Sequence, residues 1–357
     1  MKTIKTLALA LFITITSSCQ KKENNKMNTQ NTEPEFEGEA TLCSPFGFPM
    51  EVYKGHIGGG TLTIGLETGV QGWGSSGSGI GNGAKPLPKE LSCIWVSYAE
   101  DCMYSIDCPV DYDKLVAVFE EGYQSSVKKL GYKKITYNAI IVGFAPGGVV
   151  VVWASGPGRT VEIGRYQGKK YVVPQEEIDK LDASGRTIFD PKFRKMIMTS
   201  PNIIPIEMQN NPKPIPYGLW DSYRTRYNWR PVVEVQNEAI ILDVSFDMFN
   251  GEKEALFDKT LIENKFEKRG ILSGIGIGWR DTKGQGYGGL IYFNEEEIRN
   301  AFKKMYKDIP DAESELVFTV NHANNFITVL LKCGDKKIRF IKNNVEVFKS
   351  RKNSLNN

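Results

Sequence analysis

From residue 48 the chain reads mostly with period two. FPMEVYKGHI and TLTIGLE alternate apolar and polar positions and are interrupted by glycines, the pattern of half-buried strands. Residues 69–88, GVQGWGSSGSGIGNGAKPLP, are rich in Gly and Ser and closed by two prolines, which predicts a long loop. LSCIWVSY returns to alternation toward Trp95. Over 110–130 the period changes: Leu115, Val118, Phe119 and Tyr123 recur at helical spacing. AIIVGFAPGGVVVVWASGPGRTVEIGRY predicts strands again, with a turn at Pro146-Gly147-Gly148 and a buried apolar run from Val149 to Trp153. Residues 175–198 read as helical, and the proline-studded PNIIPIEMQNNPKPIPYG follows.

The C-terminal third shows the order strand, helix, strand, strand. GIGIGW ends at Trp279, EEEIRNAFKKMY is a helix with Ile298, Phe302 and Tyr306 on one face, and VFTVNHANNFITVLLKCGDKKIRFIK gives two or three strands. Trp95 to Phe119 spans 24 residues and Trp279 to Phe302 spans 23. That spacing reads as an internal duplication, although any two strand–helix–strand–strand units share such periods. The expected fold is α+β: antiparallel β-rich sheets with one long helix per half and two similar halves. The boundaries read from the sequence are a signal at 1–18, a tether at 19–39, one α+β domain at 40–232 and a second half at 233–350.

The first residues stand outside that fold. Lys2 and Lys5 precede the apolar run Leu7 to Ile15, and Thr16-Ser17-Ser18-Cys19 follows. Charge, a short apolar core and then small residues is the order of a secretory signal, and the run is far shorter than the roughly 20 residues that span a bilayer. A cysteine directly after the small residues resembles a lipoprotein processing site, so Cys19 is the expected lipidated residue. Acyl chains contribute about 0.8 kcal/mol per buried methylene, enough for two or three to anchor the protein. Residues 20–39 would then be a flexible tether reaching about 25 Å.

A hydrophobic content of 41% with 24% charge is that of a folded chain. Without Lys2 and Lys5, 43 basic residues face 42 acidic ones, so no basic surplus argues for nucleic acid. Beyond Cys19 there are Cys43, Cys93, Cys102, Cys108 and Cys333. Cys102 and Cys108 flank MYSID, read as a short turn, and form the candidate disulfide of an exported protein. No CxxC occurs. His56 and His322 are isolated and outside metal-ligand spacing, so neither a metal nor a cofactor is expected. GWGSSGSG does not match GxSxG, and GSGIGNGAK lacks the GK[ST] ending of a phosphate loop.

WDSYRTRYNW, residues 220–229, is the densest cluster of arginines and aromatic rings. If 223–230 is extended, alternation puts Tyr223, Thr225, Tyr227 and Trp229 on a core face and Arg224, Arg226, Asn228 and Arg230 on a wet face. Such a face can pair with internal carboxylates, or clamp a carboxylate, a phosphate or an acidic partner. Arg224, Arg226 and Arg230 are therefore the candidate contacts, with Trp220 and Trp73 as aromatic additions.

FPMEVYKGHIGGG, GWG, LPKELSCIWVSYAED, FEEGY, FAPGGVVVVWASGPGRTVEIG and YGLWDSYRTRYNWRP together resemble the bacterial lipoprotein family known as domain of unknown function 2931, over roughly residues 45–232. The resemblance implies export and lipidation and supplies no catalytic residues. Some members stand near genes for antibacterial effectors, which implies an immunity role for those members. QKKENN after Cys19 lacks paired acidic residues associated with surface export, so the expected address is the outer membrane, facing the periplasm. The function expected is a non-catalytic envelope lipoprotein that binds a protein or polar ligand. The alternative is a carbohydrate-active enzyme with paired carboxylates across a cleft.

Overall fold

The computed structural model describes residues 35–350, except 63–64, 78, 81–82, 128–130 and 237. The predicted signal, Cys19 and most of the tether lie outside the described residues. The end of the expected tether does not: Glu35–Glu37 is a strand that pairs with Ala84–Pro86. From Pro34 onward the chain is one compact unit.

The principal elements of the first half are β1 (Glu39–Cys43), β2 (Met50–Ile57), β3 (Glu90–Ser97), β4 (Cys102–Pro109), α1 (Tyr112–Glu121), β5 (Tyr123–Val127), β6 (Gly131–Ile135), β7 (Ala139–Ala145), β8 (Val149–Gly156), β9 (Arg159–Gln167) and β10 (Lys169–Tyr171). A helical stretch follows, containing α2 (Pro191–Thr199) and α3 (Leu219–Tyr223). The second half comprises β11 (Tyr227–Val235), β12 (Ala239–Met248), β13 (Lys253–Phe257), α4 (Asp258–Glu263), β14 (Leu272–Asp281), β15 (Gly286–Tyr292), α5 (Glu295–Tyr306), β16 (Ser314–Val320), β17 (Ile327–Cys333), β18 (Lys336–Phe340) and β19 (Asn344–Lys349). The architecture is strand-rich α+β, with antiparallel and mixed sheets.

Several elements differ from the sequence reading. The helix expected over 110–130 ends at Glu121, and Tyr123 opens a two-stranded hairpin, β5–β6, instead of a fourth turn. The expected boundary at 232/233 falls inside β11, so no linker separates the halves there. Residues 220–223 are helical rather than extended. Trp220 and Tyr223, three positions apart, both face the same small core. Alternation holds only from Tyr227 on, where Trp229 is fully buried.

Strand order follows one scheme in both halves. In the first, β10-β4-β3-β2 form one sheet while β1 lies parallel to β7 and continues through β8 to β9. In the second, β19-β15-β14-β12 run in the same order, and β11 lies parallel to β16 and continues through β17 to β18. Trp95 stacks on Tyr104 across β3–β4 at 5.5 Å, and Trp279 stacks on Tyr287 across β14–β15 at 5.7 Å. The halves join where β13 meets β9 through the single pair Thr160–Lys253, which makes one ten-stranded sheet.

Each half has its own apolar core, one around Trp95, Phe119 and Phe144, the other around Trp229, Phe246, Trp279 and Phe302. VVVVW shows no alternation because β8 is covered on both faces: Val150 and Val152 point into the first core, and Val151 and Trp153 into a smaller one roofed by Trp73 and Trp220. β17 reads alternately buried and half-buried, as a strand covered on one face should.

The seam depends on two glycines. Gly74, in the Gly-rich loop, and Gly251, in the β12–β13 turn, lie backbone to backbone with φ of 77° and 85°. A Cβ on Gly74 would come within 2.3 Å of the Gly251 Cα, and one on Gly251 within 2.7 Å of the Gly74 Cα. Neither neighbour is a movable side chain, so a methyl group must push the two backbones apart. Gly74→Ala is expected to destabilise by about 2–4 kcal/mol, from left-handed backbone strain plus overpacking. Gly59→Ala, where a Cβ meets open space, should stay within about 0.5 kcal/mol. Urea denaturation of both variants checks the pair.

A candidate binding cleft at the seam

The three candidate arginines do not form a rail. Arg224 donates to Glu162 on β9 at 2.8–2.9 Å, Arg226 pairs with Glu252 at 2.6 Å, and Arg230 pairs with Glu315 on β16 while covering the Phe266 ring at 4.3 Å. Their heads go to three separate internal carboxylates because the chain turns from α3 into β11 between them. The wet-face reading thus yields to its structural alternative: Arg224 reaches across to the first half, Arg226 holds the β12–β13 turn, and Arg230 ties β11 to β16 within the second half.

Arg224 and Arg226 belong to an ionic network built on buried carboxylates. Glu162, Glu252 and Glu254 are each under one-tenth exposed, as is Arg269. Arg269 grips Glu254 with two bonds of 2.8 and 3.0 Å, and Arg159 approaches the same carboxylate at 3.4 Å. Glu252 accepts from the backbone N–H of Glu162 at 3.0 Å and from Asn250 at 2.8 Å. The Trp153 indole, in turn, donates to the Asn250 carbonyl at 3.2 Å. Charges this deep persist only when paired, and removing one partner costs about 3–5 kcal/mol. The short segment Asn250 to Glu254, running from the β12–β13 turn into β13, therefore docks onto β8 and β9 of the first half.

Trp73 and Trp220, by contrast, do come together. They line a cleft of about 520 Å³ on this seam, with Phe46, Phe48, Tyr223 and Phe249. Trp220 is only 2% exposed and meets Phe48 edge-on at 5.4 Å, so it is wall rather than contact surface. Trp73 is half-buried against Trp153 at 4.9 Å. Phe46, 51% exposed, is the accessible ring. Polar groups on the rim are Asp247, paired with Lys253 at 3.1 Å, and Glu295, which accepts from the Tyr223 hydroxyl at 2.8 Å and from Arg299 at 3.0 Å. Burial and the Glu295 carboxylate push the Tyr223 hydroxyl above its ordinary range, so it stays a donor. Beneath the cleft Cys43 is fully buried, and burial pushes its thiol up to about 12, which leaves it unreactive.

Sequence reasoning missed Phe46, Asp247, Lys253 and Glu295. Glu295 opens α5, after the Asn294 cap. Phe46 sits in a loop, and Asp247 and Lys253 face each other across β12 and β13, with no distinguishing pattern in the sequence. His56 is exposed, 3.8 Å from Glu90, and His322 donates its backbone N–H to Gln236. Among the described residues no group of three His, Cys, Asp or Glu could hold a metal ion.

Cys102 and Cys108 cannot pair with each other. MYSID is the middle of β4, not a turn, so six extended residues hold the two about 20 Å apart, whereas a disulfide needs Cα atoms within about 7 Å. All five described cysteines are free thiols.

A strand-rich α+β chain with paired clefts and buried ion pairs defines a fold class but no chemistry. The chain belongs to the family described as protein of unknown function (DUF2931), whose model matches residues 21–218. That match covers the first half and α2 and stops just before α3. No curated protein and no solved structure matches the chain.

Burial pushes the Glu254 carboxyl up, but hydrogen bonds and charge from Arg269, with Arg159 behind, outweigh it and hold the group below the ordinary range. A carboxyl held low in the fold stabilises fully above its unfolded value, near 4.5, and that contribution is lost as pH falls through the lower folded value. Melting followed from pH 7 to pH 2 should show this loss. Glu254→Gln should melt lower at pH 7 and lose less between pH 4.5 and 2; an unchanged acid limb would exclude Glu254 from that role. Alkylation of the unfolded, unreduced Pro34–Asn357 chain should label five cysteines.

Proposed function

We propose that this protein is a lipid-anchored, non-catalytic binding protein of the cell envelope, attached through Cys19 to the outer membrane and facing the periplasm. The signal-like N-terminus supports the address. The observation that carries the binding role is the convergence of Trp73, Phe46 and Tyr223 on one cleft with Asp247 and Lys253 at its rim. Flat rings beside hydrogen-bonding charges suit a ligand with an apolar face and a hydroxylated edge, the chemistry of a sugar ring. A second reading is a protein partner, such as a toxin, favoured by Phe46 and Val70, 51% and 61% exposed.

Acid–base catalysis has less support. A glycosidase requires one carboxyl kept protonated opposite a second. Glu252 and Glu295 are each already engaged by an arginine and Asp247 by a lysine.

We also infer that the two halves are copies of one unit. Support comes from the shared strand order, the two parallel pairs β1–β7 and β11–β16, and the matching Trp–Tyr stacks. Joining copies edge to edge, with inserted α2 and α3 bracing the joint, would create the seam in which the cleft lies.

Calorimetric titration of Pro34–Asn357 with peptidoglycan- and lipopolysaccharide-derived oligosaccharides tests the ligand. Binding is expected, and Phe46→Ala should weaken it about 3- to 10-fold, matching roughly 0.5–1.5 kcal/mol for one ring contact, at unchanged melting temperature. If no saccharide binds and the chain instead neutralises a co-encoded toxin in a Phe46-dependent way, the protein-partner reading replaces it.

A further inference from the structure

A second cleft, of about 820 Å³, opens where the halves diverge beyond the β9–β13 joint. One wall is β13, the other is Tyr123, Gln124 and Ser125 of β5, and the turn Pro157-Gly158 lies between them. β13 pairs with β12 along its whole length, yet on its other side only Lys253 has a strand partner. From Glu254 to Leu256 that edge has no ladder partner among the described residues. β5 likewise pairs with β6 alone. An unpaired strand edge is a template for another strand, and here a second strand edge stands across from it.

Two further observations say what fits. The Tyr123 hydroxyl, Arg159 Nε and Asn264 Oδ1 are buried along this cleft without hydrogen-bond partners. Native interiors rarely leave such groups unmet. The lining is also acidic on balance, with five carboxylates against Arg159, Lys265 and Arg269. Glu254, Glu263 and Glu267 are held by those bases or by Lys259. Glu121 and Asp243 have no ion pair among the described residues.

The geometry points to a peptide-binding slot. An extended segment bearing lysine or arginine adds a strand to the free edge of β13, and its cations meet Asp243 and Glu121. Main-chain hydrogen bonds supply affinity in this mode, and alternate side chains supply specificity. The slot is separate from the aromatic cleft and stands whether or not that cleft takes a saccharide.

The test uses the whole chain carrying Cys19→Ser and three labelled peptides followed by fluorescence anisotropy: (Lys-Thr)4, (Glu-Thr)4 and (Lys-Pro-Pro)4. The third keeps four lysines but cannot form a ladder. (Lys-Thr)4 is expected to bind, the other two at least tenfold more weakly, and Asp243→Lys should weaken (Lys-Thr)4 at least tenfold without altering the melting temperature. Hydrogen exchange at Glu254 to Leu256 should slow when (Lys-Thr)4 is bound. Equal binding of (Glu-Thr)4 or (Lys-Pro-Pro)4, no binding at 1 mM, or indifference to Asp243→Lys overturns the proposal. Binding by Pro34–Asn357 but not by the whole chain also overturns it, because the slot would then belong to the chain's own lysine-bearing residues 20–33.

Discussion

Three buried carboxylates at the joint, and the four guanidiniums that pair with them, govern this molecule. Burying Glu162, Glu252 and Glu254 without partners would cost more in desolvation than packing returns. Arg159, the near neighbours Arg224 and Arg226, and Arg269 come from three different segments, so the pairing is complete only when all those segments are in place. The network therefore acts as a specificity device. It sets how the second half sits against the first, while the apolar cores of the two halves supply most of the burial.

That arrangement explains why both clefts lie on the seam. Glu252 lines the aromatic cleft and Glu254 lines the peptide slot, two residues apart in the same short stretch. The backbone contact between Gly74 and Gly251 brings the Gly-rich loop within reach of the second half and turns Trp73 into one wall of the aromatic cleft. Where the sheets are joined by a single residue pair they part beyond it, and the slot opens between them. The binding surfaces are products of the joint; neither half would present them alone.

The legibility of these features in the sequence was uneven. The alternating stretches around Trp95 and Trp279, the apolar run of β8 and the helix from Glu295 form as their patterns predict, since burial on one face, both faces or a helical stripe leaves a local period. The helix expected over 110–130 broke at Glu121, because Tyr123 reaches a core position equally well from a hairpin. MYSID was misread for the same kind of reason: its polar residues suit either a turn or a strand with one wet face, and only pairing with β3 and β10 makes it a strand. Trp73 and Trp220 were selected for their chemistry and do share a cleft, but Phe46 and Asp247, which make that cleft accessible and polar, carry no local signature.

The sequence by itself determined most of the strands, the helix from Glu295, the strand-rich α+β class and family membership. All of these follow from local periodicity or from residue identity at fixed spacing. Tertiary structure alone decided the fate of the arginines. Arg224, Arg226 and Arg230 would look the same in sequence whether they met a ligand or an internal carboxylate. Their partners, Glu162, Glu252 and Glu315, lie 62, 26 and 85 residues away along the chain. Coulomb attraction depends on distance in space, and that distance was fixed by how two sheets meet.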